Sequence, residues 1–366
     1  MQTKAAVVRA AEQDFEITTL ELDAPRSNEV QVKMIASGVC HTDAIARDQI
    51  YQTYLPAVFG HEGAGIVEAV GSDVTSVAPG DRVVLGFNSC GKCSKCLAGA
   101  PAYCENFYAK NFSGLRDDET TAFSEGGQKV GSHFFGQSSF AQYTNVSDRS
   151  VVKVDGDVPL ELLGPLGCGL STGAGAIINS LGVKAGDTVA VFGTGAVGCA
   201  GIMAAAAIGA TTIIAVDLHD SRLELAKELG ATHTINSRNE NPVEKIREIT
   251  GDGVNYALDS TGVVAVTRQA ADSLAINGTV GLVGAPAPGT EVSFEVGASL
   301  TRGWKFQTII EGDAIPQDFI PRLVHLWRQG KFPIEKLVRT YPIEKINDAF
   351  ADSASGEVIK PIVTFE

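Results

Sequence analysis

Between Asp187 and Asp217 the chain carries no charged residue. By apolarity alone such a run would suit a membrane span, which needs ~20 residues. Yet Gly193, Gly195, Gly198, Gly201 and Gly209 break it up. Read by those breaks it is a strand over 188–192, a glycine turn, a buried helix over 197–208 and a second strand over 212–216. Strands with no polar alternation are buried on both faces, the mark of a parallel sheet. The turn itself, Gly193-Thr194-Gly195-Ala196-Val197-Gly198, spells G-x-G-x-x-G. In that context the first glycine makes the tight turn, the second lets backbone approach a pyrophosphate, and the third lets helix and strand pack closely. The helix start then offers free N–H groups and partial positive charge to a phosphate.

The rhythm continues as a helix over 220–229, a strand over 256–259, a helix over 264–274 and a strand over 279–283. This alternation predicts an α/β fold with a doubly wound parallel sheet. Asp217 closes the second strand about twenty residues after Gly198, where a carboxylate accepts from ribose hydroxyls and repels a 2′-phosphate. The expected cofactor is therefore NAD rather than NADP, with Arg222 near enough to stack on adenine. A local phosphate device is needed because the formal net charge is −14. A field of that sign repels polyanions, so neither nucleic acid nor an anionic membrane is an expected partner. Residues 1–163 read as irregular and strand-rich, with 111–138 as a surface loop containing some helix. A helix over 316–329 and a strand over 362–365 end the chain.

The N-terminal residues contain no apolar h-region, so a reducing, cytoplasmic setting is expected. There, clustered cysteines mean metal more often than disulfide. Cys90, Cys93, Cys96 and Cys104 follow the spacing C-x2-C-x2-C-x7-C. Four thiolates close a tetrahedral shell with no open position, which predicts a structural zinc. Cys40, His61, Glu62 and Cys168 are dispersed, and residue type alone leaves them as an open, catalytic-type zinc site or as unrelated core residues.

At these residues the chain resembles the zinc-dependent medium-chain alcohol dehydrogenases. The resemblance runs over Gly60-His61-Glu62, the four-cysteine lobe, Cys168-Gly169-Leu170-Ser171-Thr172-Gly173 and the glycine turn with Asp217. It implies a GroES-like catalytic domain from 1–169 and 309–366, a Rossmann domain at 170–308, and an active site in the cleft between them. It further implies NAD and two zinc ions per subunit, with Cys40, His61 and Cys168 on the catalytic one. Glu62 becomes the nearby acid able to replace water, Asp43 the group orienting His61, Thr42 the proton acceptor and Thr172 a nicotinamide neighbour. His41 becomes a phosphate contact or a general base, and Arg47 and Lys360 further phosphate contacts. The usual histidine five residues after the first cysteine ligand is Ile45 here, so a proton relay must end elsewhere. Tyr51, Tyr54, Phe87, Ile45 and Ala285 are expected to line an apolar pocket.

Within the family, 40–49, 111–114 and 163–169 look most like bacterial aryl-alcohol dehydrogenases, with geraniol-type enzymes nearly as similar. The implied substrate is a primary aromatic alcohol and its aldehyde, and the implied assembly a homotetramer or a dimer. A non-catalytic NAD- or zinc-binding protein is the alternative of another class. A zinc-free quinone reductase on the same fold is opposed by the cysteines.

Overall fold

The computed structural model describes residues 1–365. It divides into two compact units. The first comprises Met1–Cys168, Ile315–Val324 and the C-terminal segment from Ile334. It is built on a seven-stranded sheet whose path runs Val151–Lys153, Arg82–Leu85, Gly63–Val70, Glu29–Gly38, Lys360–Thr364 and Val338–Pro342. Tyr143–Ser147 pairs off this path with Glu29–Gly38. A five-stranded sheet containing Gln2–Val8 and Glu16–Leu22 completes the unit. Its core is aromatic, with Phe59, Phe134 and Phe140 fully buried around Val7, Val58 and Ala141. This is the GroES-like architecture expected for the two ends of the chain.

The second unit comprises Gly169–Ala314 and His325–Pro333. Its six-stranded sheet runs His233–Asn236, Thr212–Asp217, Thr188–Phe192, Val254–Asp259, Leu274–Leu282, Lys305–Thr308. Every neighbouring pair is parallel. In order of appearance this is 3-2-1-4-5-6, the Rossmann order. Thr188–Phe192 is the first strand of that order, and the ligand crevice of such a sheet opens outside the carboxyl ends of its strands. The charge-free run supplies this strand and the helix Ala196–Ile208, whose Gly198 to Ala205 are buried. The boundary near 308 falls later than the sequence suggests. The turn Glu311–Asp313 packs on the Rossmann unit, where Asn179 donates to the Gly312 carbonyl at 3.1 Å.

One expectation is overturned. Within 111–138, the stretch after Val130 is not a surface loop, for Ser132, Phe134, Gln137 and Ser138 are fully buried. Its polar groups bond to protein rather than water, among them the Ser138 hydroxyl, which donates to the Val58 carbonyl at 2.6 Å. Among the described residues no single helix is long and apolar enough to cross a membrane.

Candidate metal and dinucleotide sites

The helix His41–Arg47 starts immediately after Cys40 and carries Asp43 in its first turn. Asp43 is fully buried and joins three points of the chain. Its Oδ2 accepts from the Cys40 amide at 3.1 Å, and its Oδ1 accepts from the Gly60 amide at 3.0 Å and from His61 Nδ1 at 2.8 Å. With its Nδ1 proton donated in a hydrogen bond to Asp43, His61 presents its Nε2 lone pair, and that atom is buried with no hydrogen-bond partner. Ligand atoms of Cys40, His61, Glu62 and Cys168 all lie within 4.8 Å of one another. An orphaned imidazole nitrogen facing two sulfurs is costly unless a cation completes it, so the donor set fits zinc. The Cys40 thiol is drawn well below its usual range by Cys168, with His61 and Lys360 adding to the effect against burial.

Glu62 is held differently from its neighbours. Burial pushes its carboxyl up to about 7, and Lys360 acts against that rise. Lys360 Nζ bonds both Glu62 oxygens, at 3.0 and 2.9 Å, and the Val39 carbonyl at 3.1 Å. Burial opposes the Lys360 charge, but Glu62 and Cys40 outweigh it and hold the ammonium above its ordinary value. This corrects the phosphate contact expected of Lys360, whose side chain is 3% exposed and whose donors point inward. Arg47 is likewise engaged elsewhere. Its Nε meets Asp48 at 2.6 Å, and its guanidinium lies over the Phe350 ring. The link between Lys360 and Glu62 had no local signal, because the two lie at opposite ends of the chain.

Thr42 is half-buried, His41 exposed and Ile45 buried. Of the residues expected to line a pocket in this unit, Phe87 is buried in the aromatic core, Tyr51 packs partly against it, and Tyr54 is exposed. Phe135 lies against the His61 imidazole at 4.6 Å between ring centroids and Phe134 at 5.5 Å, with Phe107 and Phe112 behind them.

The second cluster unites Cys90, Cys93, Cys96 and Cys104, again with all sulfurs within 4.8 Å. Cys90 and Cys96 stand 4.0 Å apart, as do Cys93 and Cys104. Tetrahedral zinc at a metal–sulfur distance of about 2.3 Å needs sulfurs about 3.8 Å apart, so this lobe also fits the ion. Backbone amides already point at the sulfurs, those of Cys90 and Asn106 at Cys104 Sγ and that of Cys93 at Cys90 Sγ. The backbone amide of Lys92 leads in lowering the Cys90 thiol to about 6, whereas burial raises Cys104 to about 11.

In the parallel-sheet unit, Gly193 has φ +86, and a Cβ there would meet Thr261 Cγ2 at 2.8 Å. A Cβ on Gly198 would strike the Gly193 carbonyl at 1.8 Å, which is the close helix–strand contact the motif requires. A Cβ on Gly195 meets nothing within 4 Å, so this glycine faces open space as a phosphate cradle does. Ala196 and Val197 open the helix, whose N-cap Gly195 has no side-chain cap. Thr194 is buried, and its amide and hydroxyl both donate to Asp217 Oδ2 at 2.8 Å. The amides of Leu218 and His219 donate to Oδ1 at 2.7 and 3.0 Å. The roughly four acceptor positions of this carboxylate are thus filled from within the protein. Burial raises its pKa, but the two Thr194 bonds and His219 outweigh burial and keep it ionised. Arg222 Nη1 stands 4.0 Å from Asp217 Oδ2. Thr172 lies on the helix Gly169–Gly175 of this unit, half-buried.

Comparison with known proteins agrees with both halves. Residues 26–156 match the alcohol dehydrogenase GroES-like domain, and residues 196–327 match the zinc-binding dehydrogenase family. A geraniol dehydrogenase of Castellaniella defragrans is 42% identical over 100% of this chain and 98% of its own length. Among solved structures, an alcohol dehydrogenase zinc-binding domain protein from Burkholderia ambifaria is 53% identical with a TM-score of 0.99, covering 100% of this chain and 99% of its own. A benzyl alcohol dehydrogenase from Acinetobacter calcoaceticus is 48% identical with a TM-score of 0.97, covering 100% of both chains.

Proposed function

The chain belongs to the zinc-dependent medium-chain alcohol dehydrogenases, and from that membership we propose that it oxidises primary aromatic alcohols of the benzyl type to aldehydes, reversibly and with NAD. The observation that carries the substrate class is the full-length similarity to a benzyl alcohol dehydrogenase. An aryl group conjugates with the forming carbonyl and so eases loss of hydride from the carbinol carbon. The similarity to a geraniol dehydrogenase favours a second reading, an allylic or terpenoid alcohol, in which an alkene provides the same conjugation.

Zinc on Cys40, His61 and Cys168 supplies Lewis acidity that brings an alcohol's pKa toward neutrality, and NAD supplies the hydride acceptor. The protein does the rest. Asp43 fixes the imidazole in the tautomer that leaves Nε2 available. The Thr42 hydroxyl takes the substrate proton as it gives up its own to water, since Ile45 has no group to carry the proton further. Lys360 compensates the Glu62 carboxylate beside the two thiolates. The four-cysteine lobe takes a second, structural zinc. The ionised Asp217 disfavours a 2′-phosphate, which supports NAD over NADP.

The test compares kcat/KM for benzyl alcohol, geraniol and ethanol, each with NAD and with NADP. Benzyl alcohol well above geraniol and ethanol, with NAD preferred, is the expected result. Faster geraniol turnover selects the allylic reading. No turnover with any alcohol, despite bound zinc and NAD, rejects both readings and promotes a binding role.

A further inference from the structure

His61 and Glu62 lie on Phe59–Glu62, a stretch without regular secondary structure. Backbone in such a stretch must find partners outside its own element. On one side they come from Gly38, whose amide donates to the Glu62 carbonyl at 2.9 Å, and from Asp43. On the other they come from 134–140, which overlaps the end of the stretch 111–138 read as a surface loop. The Ser139 amide donates to the Gly60 carbonyl at 2.9 Å and the Phe140 amide to the Phe59 carbonyl at 3.0 Å. Gln137 is fully buried and bonds the backbone on both sides of Glu62. Its Nε2 donates to the His61 carbonyl at 2.9 Å and the Gly86 carbonyl at 3.2 Å, while its Oε1 accepts from the Gly63 amide at 3.1 Å.

The same segment also holds the imidazole ring. The Phe135 ring lies tilted 32° on it, and Phe134 meets it edge-on. Phe135 does this at φ +51, ψ +31, a left-handed conformation that bulky side chains rarely take. Gly136 follows at φ +69, where a Cβ would lie 2.6 Å from Ser150 Oγ and 2.9 Å from the Asn88 side chain. Strained backbone that the surroundings over-determine gathers at functional sites. Here the strain aims one aromatic ring at one metal-type ligand.

We propose that Gln137 and Phe135 are positioning residues for the zinc on Cys40, His61 and Cys168. Gln137 fixes the backbone that carries His61, and Phe135 fixes the plane of its ring, so that Nε2 meets the metal without reorganisation. The proposal rests on the zinc reading of that site. It concerns the geometry of the ligand set.

The test uses the full-length zinc-loaded protein, with the four-cysteine lobe as an internal control. Four variants probe the segment: Gln137→Met, which keeps the shape but loses the three bonds, Phe135→Gly, which suits the φ but loses the ring, Phe135→Tyr as the conservative rescue, and Thr144→Val. Thr144, on the neighbouring strand Tyr143–Ser147, donates its hydroxyl to the Gln137 carbonyl at 2.6 Å and not to 60–63, so it controls for stability alone. Zinc affinity is read by chelator competition and ligand geometry by the visible spectrum after cobalt substitution. Gln137→Met and Phe135→Gly should each weaken one zinc per chain about 10- to 100-fold and shift the cobalt bands. The second zinc, Phe135→Tyr and Thr144→Val should stay as wild type. Should Gln137→Met not fold, the Phe135 pair, which leaves the amide in place, decides. Wild-type zinc affinity and spectrum in the folded variants, with only the unfolding midpoint lowered, overturns the positioning role. A wild-type chain holding zinc on the four-cysteine lobe alone instead refutes the zinc reading, and this proposal with it.

Discussion

Replacing Lys360 with Met isolates a charge that the fold buries at the metal-type site. The two side chains are 3% and 0% exposed, and the ammonium spans both oxygens of Glu62. Gly38 makes room for this arrangement, since a Cβ there would stand 2.0 Å from Glu62 Oε2. At a separation of 2.9 Å and an effective dielectric constant of about 20, the Coulomb attraction is about 6 kcal/mol. Losing one partner of a buried pair costs about 3–5 kcal/mol, because the carboxyl left behind must stay charged and desolvated or take up a proton. The Val39 carbonyl also loses its donor, at about 1 kcal/mol. Lys360→Met should therefore destabilise the zinc-loaded protein by about 3–5 kcal/mol, and Glu62→Gln alone should also cost stability. The double variant leaves no charge behind, so it should cost clearly less than the two singles added, with a coupling of order 3 kcal/mol. Urea unfolding of the four proteins of the cycle measures this. A Lys360→Met cost below about 1 kcal/mol, or singles that add within ~0.5 kcal/mol, would show that the two groups are not a coupled buried pair.

The glycine turn separates folding from binding. Gly198→Ala must displace the Gly193 carbonyl and should lower the thermal midpoint, whereas Gly195→Ala, which points into open space, should fold normally and weaken NAD affinity, both read by melting and cofactor fluorescence. Cys96→Ser should remove one zinc per chain and leave 90–104 open to protease while the other zinc stays, which elemental analysis and limited proteolysis check. Glu29 supplies a pH test. Burial raises its carboxyl, but His133 and Arg116 outweigh burial and hold it at about 2 against an ordinary 4.5. A depressed carboxylate stabilises the fold fully above its unfolded value and progressively less as pH falls from 4.5 toward 2, here by about 3 kcal/mol in all. Glu29→Gln should flatten the acid limb of stability against pH relative to wild type, and an unchanged slope rejects the assignment.

The parallel-sheet unit was largely legible because its signals are local. Thr188–Phe192 and Ala196–Ile208 come from one uncharged run whose glycines mark the turn. The metal ligands were legible as residue types, but spacing alone joined only the four cysteines of the lobe. Cys40, His61 and Cys168 needed the family resemblance, since nothing local links them. Lys360 misled because a lysine near a chain end reads as solvated, and its carboxylate partner lies far away in sequence. Gln137 and Ser138 misled because polarity stands in for exposure until the hydrogen bonds are known. The aromatics Phe134, Phe135 and Phe140 around them were the available sign of a buried segment. Arg47 shows the converse, a cation on a helix that found its anion in the next residue.

The most direct test follows the hydride. Benzyl alcohol carrying deuterium at the carbinol carbon is incubated with the purified protein and NAD, beside a Cys168→Ser variant. Direct hydride transfer at a zinc held by Cys168 gives deuterium in the reduced nicotinamide, and loss of both that transfer and one zinc per chain in the variant. Reduced cofactor without the label, or undiminished transfer by a variant that has lost that zinc, would contradict it.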